Sequence, residues 1–358
     1  MTSGLAIPYA VAMLAAAGGI PKYGSVRVAS ERVVWEEAGS KVVLAQFAPD
    51  SSRIVFTAEG SAGLLIGSVG PDGKGATRLL QSSGTKCGAL AVSGDSKQVG
   101  AILKRGDTQL LAIGPISGPM KEAEKSDGIQ GLVPLPQRVV AFRDDAVPGG
   151  PYKGATISRT GALFAATKDL PSPVGIVRGA GLWAWDAPKD LASGAPIVAR
   201  RCDNDAKIRQ VLDPGDWLVG VAYYKHLITF APHGGKEPGG RIRFIGARLK
   251  PFPGLDHRPL GVWEIPAAGG EPVLLGAFGW WPRYWRGDPS CHGATGWNVG
   301  IDGGQYMADF GTGKVYKYEK KVFERGVRGT YSHDCGMVAL PGTVLKVLVL
   351  EKKEAPDQ

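Results

Sequence analysis

The feature that most constrains the fold of this chain is a short hairpin unit that recurs along it. Residues 42–57 (VVLAQFAPDSSRIVFT) read as strand, Ala-Pro-Asp-Ser-Ser turn, strand, and residues 90–103 (LAVSGDSKQVGAIL) repeat the unit around Ser-Gly-Asp-Ser. Further copies are read at 155–167 (ATISRTGALFAAT), 208–223 (IRQVLDPGDWLVGVAY) and 331–340 (YSHDCGMVAL). A third strand tends to follow, at 64–69, 109–113, 182–186, 262–265 and 315–318, and a fourth at 76–80, 196–200 and 272–275. Asp50 and Asp95 of the first two turns lie 45 residues apart, the period of one four-stranded antiparallel unit in a radial repeat. Later spacings lengthen, with the plainest insertion at 230–258.

Glycine (53) and proline (26) punctuate the 358 residues so densely that long helices have no room. A lone four-stranded unit cannot bury both faces, whereas packing units around an axis hides them and leaves short edges. The expected fold is therefore all-β: a six- or seven-bladed β-propeller of four-stranded antiparallel blades over residues 24–358. Residues 24–35 (GSVRVASERVVW) are expected to supply outer strands of a blade whose inner strands come from 331–349, so that the two chain ends close one ring. A two-sheet sandwich is the alternative, but it leaves the recurring unit unexplained.

The stretch 47–56 (FAPDSSRIVF) resembles the repeat of TolB-like and WD40-like propellers, in which a Pro-Asp-Gly turn joins the inner strands. The Trp-Asp ending of 182–186 (LWAWD) is similar to the WD dipeptide. The resemblance covers the fold and implies no catalytic residues.

Residues 5–17 (LAIPYAVAMLAAA) form an apolar run of signal-peptide length with no basic residue before it. Thirteen residues are too few to span a bilayer, so residues 1–23 are expected as a short apolar helix or plug packed on the body, with no transmembrane span. The net charge of +9 favours acidic partners such as nucleic acid, anionic polysaccharide or a membrane surface. Basic residues concentrate only at 241–250 (RIRFIGARLK) and 314–328 (KVYKYEKKVFERGVR), both read as strands with one wet face, and specific nucleic-acid binding is not expected.

Walker, nucleophile-elbow and zinc-protease motifs are absent. Three groups of residues are candidates for a site. Trp280, Trp281, Arg283, Tyr284, Trp285 and Arg286 put three tryptophans, a tyrosine and two arginines within seven residues. They read either as packing between blades or as a platform stacking sugars or bases. Cys291, His292, His333 and Cys335 read as buried thiols with turn histidines, as a disulfide between the two cysteines, or as a zinc tetrad. Asp144-Asp145 and Asp203-Asn204-Asp205 are turns or calcium ligands. No cofactor is called for, with zinc or calcium as the metals these donors would take. The leading expectation is a non-catalytic module for protein partners or neighbouring subunits, such as a virion or cell-surface component in an extracytoplasmic setting. The alternatives are a propeller enzyme acting on carbohydrate or a lactone, and a nonspecific binder of acidic polymers.

Overall fold

The computed structural model describes residues 23–125 continuously. Beyond them it describes the strands within 129–353, the segments 271–280, 304–309 and 312–323, and residues 329–355. The described residues contain strands, turns and bends and no helix. The expected apolar helix or plug over 1–23 lies outside them, apart from Tyr23.

Two consecutive antiparallel sheets follow the predicted unit. The first is β2 (Lys41–Phe47), β3 (Ile54–Gly60), β4 (Gly63–Val69) and β5 (Thr77–Ser82). The second is β6 (Thr85–Val92), β7 (Gln98–Arg105), β8 (Thr108–Pro115) and β9 (Lys121–Lys125). Their sequences show why they need neighbours on both sides. In β3, Ile54, Phe56 and Ala58 face one apolar cluster while Val55 faces another, and in β4, Leu65 and Val69 oppose Leu64 and Ile66. Successive side chains point to opposite faces, so a strand buried on both faces reads as an unbroken apolar run such as LLIGSV.

One cluster joins β2–β5 to Val92, Val99, Ala101, Leu103, Leu110 and Ala112 of the second sheet. The other joins it to Val34, Ala339, Leu345 and Val347, from the two ends of the chain. The first strands β2 and β6 lie side by side. Polar ties cross the same seams: the Ser68 hydroxyl donates to the Ile116 carbonyl at 2.9 Å, and Arg105 donates to Ser82 and to both oxygens of Glu122.

The expected closure occurs. β1 (Gly24–Trp35) pairs antiparallel with β27 (Leu345–Lys353) from Ser25↔Lys353 to Trp35↔Leu345, and β27 continues into β26 (Met337–Leu340) and β25 (Thr330–Tyr331). The start of β1 also pairs in parallel with β24 (Lys314–Tyr318), at Gly24↔Tyr316 to Val26↔Tyr318. This fuses the closing strands with β22 (Gly296–Ile301) and β23 (Gly304–Asp309) into one seven-stranded sheet.

Between these regions strands form where they were expected at 182–186, 196–200, 262–265 and 272–275, but the hairpins expected at 155–167 and 208–223 take other places in their sheets. β10 (Ile129–Pro134) and β11 (Val139–Arg143) open a four-stranded sheet completed by β12 (Tyr152–Ile157) and β13 (Leu163–Leu170). The hairpin expected at 155–167 therefore forms, but as the third and fourth strands. The opening pair was missed because Leu-Pro-Gln-Arg between its strands lacks the Asp, Gly and Ser of the other turns. β14 (Leu182–Asp186) consequently starts a new sheet with β15 (Val198–Cys202) and β16 (Ile208–Gln210).

The hairpin expected at 208–223 is not formed within one sheet. β16 closes one sheet and β17 (Trp217–Val219) opens the next, with β19 (Arg241–Arg248), β20 (Pro259–Pro266) and β21 (Val273–Trp280). The expected insertion at 230–258 holds β18 (Ala231–His233) and β19, so it is partly sheet rather than loop. The basic stripe at 241–250 is strand over β19, whereas that at 314–328 is strand only over β24, with bend and coil at 319–323.

Candidate functional site

The first-to-second-strand turns of three sheets share one construction. In residues 48–53, 93–98 and 332–337 the first residue donates its N–H to the carbonyl of the sixth at 2.8–2.9 Å, and the N–H of the fourth returns to the carbonyl of the first. The third residue is Asp50, Asp95 or Asp334, whose carboxylate accepts the N–H two positions on at 2.9–3.1 Å. In two turns the first-position hydroxyl, Ser93 or Ser332, also donates to it at 2.6 Å.

The fourth position is left-handed in all three, with φ of 61° at Ser51, 60° at Ser96 and 53° at Cys335. Glycine would adopt this conformation without strain, whereas another residue there costs about 1 kcal/mol. The side chains explain why serine stands in two of them. Ser51 Oγ accepts the His333 N–H at 2.8 Å, and Ser96 Oγ accepts the Asp50 N–H at 2.9 Å. Each hydroxyl thus holds the turn of the preceding sheet. Pro49 has no N–H to give, and Asp50 donates in its place. The three turns therefore lie side by side at one end of the sheets, with His333 exposed among them. The signal in the sequence was serine where a Pro-Asp-Gly turn would carry glycine.

His333 and Cys335 were read with Cys291 and His292 as buried thiols and turn histidines, as a disulfide between the cysteines, or as a zinc tetrad. The structure places His333 at the surface and Cys335 fully buried with Val26, Met307, Tyr331, Val338 and Leu348. Trp280 ends β21, paired with Pro259. Trp281, Arg283, Tyr284, Trp285, Arg286, Cys291 and His292 lie outside the described residues, as do Asp144, Asp145, Asp203, Asn204 and Asp205. Among the described residues no three His, Cys, Asp or Glu side chains converge as a metal would require. Burial pushes the Cys87 thiol up to about 12, which keeps it protonated and non-nucleophilic at neutral pH.

A charged network lies beside the turn end, where β23, β24 and β27 meet. Lys352 Nζ is 3.1 Å from Oδ2 of the buried Asp309, donates to the Asp334 carbonyl at 2.8 Å, and sits 5.7 Å from the centre of the Tyr316 ring. The Tyr316 hydroxyl donates to Glu354 at 3.0 Å, and Glu354 pairs with Lys314 at 2.8 Å. Burial, then the Glu354 carboxylate, push the Tyr316 phenol well above its ordinary range. The hydrogen bond from Lys314 chiefly holds Glu354 below the ordinary range.

Partial burial alone would raise Asp334. The Ser332 hydroxyl, the Gly336 N–H and the Lys352 charge together outweigh it and hold the carboxyl low. A carboxyl depressed in the folded state stabilises the fold above its unfolded pKa, and that contribution is lost as pH falls through the folded value. Asp334→Asn should therefore flatten the loss of stability below about pH 5, measured as the midpoint of thermal unfolding across an acid titration. An unchanged acid slope would remove Asp334 from this role.

No protein-family model matches the chain, and no curated protein does. Among solved structures the chain is similar to one from a structural and mechanistic analysis of two prolyl endopeptidases. The identity is 12% and the TM-score 0.54, over 91% of this chain and 51% of that one. The chain thus spans about half the length of that endopeptidase. It is also similar to an oligogalacturonate lyase in complex with manganese, at 13% identity and TM-score 0.53, over 93% of this chain and 97% of the lyase.

These findings correct the leading functional expectation of a non-catalytic binding or assembly module. That expectation rested on missing linear motifs, yet both similar structures are enzymes. A fold of repeated sheets assembles chemistry from loops far apart in sequence, so such motifs need not occur. Both neighbours contain propeller domains, and at this identity the likeness carries the fold alone. Together with the sheet layout, it makes this a chain of β-propeller-like fold.

Proposed function

We propose that this protein is a propeller enzyme acting on an acidic carbohydrate, with a uronate-containing oligomer or polymer as its substrate class. The observation that carries the proposal is the likeness to oligogalacturonate lyase over nearly the full length of both chains. The net charge of +9 suits a polyanionic substrate. The site is assigned to the end bearing the three turns, where His333 is exposed and its backbone is held by Ser51. The cluster Trp281, Arg283, Tyr284, Trp285 and Arg286, which follows β21 in sequence, is retained in this proposal as the sugar-stacking platform.

The reaction class is β-elimination. A base removes the proton on the carbon next to the uronate carboxylate, and the electron pair forms a carbon–carbon double bond. The bond to the neighbouring glycosidic oxygen breaks, and that oxygen leaves with a proton. Imidazole is the side chain suited to carrying protons near neutral pH, and His333 is assigned that task.

The assay follows the ultraviolet absorbance of the unsaturated product on galacturonate oligomers, with and without added manganese. Wild type should show turnover. His333→Ala should lower kcat about 100-fold or more with unchanged thermal unfolding, because the backbone N–H to Ser51 is kept. No turnover on any uronate substrate would overturn the proposal, and full activity of His333→Ala would remove that residue from it.

The proposal includes a seven-bladed ring. The fused sheet counts as two blades, β22–β24 and β25–β27 with β1, beside the five other sheets. It also includes the TolB-like or WD40-like character of the repeat.

A further inference from the structure

The fusion of β24, β1 and β27 brings lysines of β24 and β27 onto one face, on either side of β1. The pairings Ser25↔Lys317 and Ser25↔Lys353 set Lys317, Ser25 and Lys353 in a single row across three adjacent strands. Residues in register point to the same side of a sheet. The row continues to Tyr306, which pairs with Lys317. Lys317 Nζ lies 5.8 Å from the Tyr306 ring centre and 5.9 Å from that of Tyr23, and the two rings meet edge to face at 5.3 Å. Lys320 and Lys321 are exposed just past the end of β24.

Charge pairing divides the lysines of this region into two sets. Lys314 and Lys352 are neutralised by Glu354 and Asp309. Lys317, Lys320, Lys321 and Lys353 have no carboxylate at ion-pair distance among the described residues. Of the acidic side chains on the face, Glu351 pairs with Arg27 at 2.8 Å, whereas Glu319 accepts only the neutral Ser25 hydroxyl, at 3.2 Å. Four exposed lysines with no ion-pair partner among the described residues outnumber the Glu319 carboxylate beside them and form a surface complementary to a flexible polyanion.

We propose that this face is a second binding surface for an acidic polysaccharide chain, beside the turn end and distinct from His333, holding a polymer while the site works on it. The partner follows from the proposed acidic-carbohydrate reading and shares its dependence on that reading.

The test uses the full chain with Lys317→Glu, Lys320→Glu, Lys321→Glu and Lys353→Glu combined, and a milder variant with glutamine at the same four positions. Thermal unfolding checks that each is folded. Binding to polygalacturonate is measured at low and at physiological salt, and turnover on a short galacturonate oligomer is followed in parallel. The expected result is a rise in Kd for the polymer on the order of tenfold in the glutamate variant, a smaller rise in the glutamine variant, and oligomer turnover within about twofold of wild type. Unchanged polymer binding would overturn the surface. Equal or greater losses toward double-stranded DNA or toward phosphatidylserine vesicles would overturn its assignment to polysaccharide. If wild type binds the polymer through these lysines but turns over no uronate, the surface stands and the enzymatic reading falls.

Discussion

Replacing Phe56 with alanine should lower the unfolding free energy by about 3–5 kcal/mol, the cost of emptying a fully buried aromatic site. Phe56 is 1% exposed and lies in the cluster where β2–β5 meet Val34, Ala339, Leu345 and Val347 from the two chain ends. Its ring centre is 4.7 Å from that of Trp35 at the end of β1. On the opposite strand it occupies the space left by Gly67, where an added Cβ would come within 2.6 Å of Phe56 Cζ. The ring therefore fills a notch that glycine opens, and its loss weakens the seam that joins the first and last segments of the chain. Urea denaturation measures the effect, with Val43→Ala on the exposed side of β2 as the control, expected within about 0.5 kcal/mol. A cost below about 1 kcal/mol for Phe56→Ala would mean that the closing strands do not pack on β2–β5 as described.

Lys352→Met should cost about 3 kcal/mol, because it keeps the length of the side chain while removing the cation from a buried carboxylate. Asp309 is 2% exposed, and Lys352 reaches both its Oδ2 and the Asp334 carbonyl. The instructive comparison is Lys346→Met. The Lys346–Glu31 pair is shorter, at 2.6 Å, yet its two side chains are 42% and 51% exposed. Water already solvates that pair, so its loss is expected to cost about 0–1 kcal/mol. Equal effects of the two substitutions in denaturant titrations would contradict burial as the deciding factor.

The sequence exposed the parts of this fold in which local chemistry and strand period agree. The turns at 48–53, 93–98 and 332–337 were legible because aspartate and small residues occupy the positions that the backbone hydrogen bonds require. The first sheet and the first three strands of the second were legible because apolar runs and turns alternate at one spacing, whereas the charged β9 (KEAEK) was not. Closure through 24–35 and 331–349 was also legible, since these strands had no partners nearer in sequence. Reading failed where a turn lacks those residues: Pro134 at the end of β10 and Pro136 after it hid an opening hairpin, and the hairpins read at 155–167 and 208–223 were assigned to wrong places in their sheets. At the candidate site, the turn carrying His333 and a buried Cys335 were among the readings of the sequence, but the Ser51 contact that holds the His333 backbone was not.

What the amino-acid sequence determined alone is the repeated unit, its turn geometry and the need of each strand for two apolar neighbours, because these follow from side-chain alternation and backbone hydrogen bonding within a few residues. Only the tertiary structure decided that serine hydroxyls link successive turns, that β1 pairs with β24 as well as β27, and which lysines face a carboxylate. Those outcomes depend on residues about 50 to 300 positions apart, and no local pattern encodes the distance between two side chains that meet only when the strands are stacked.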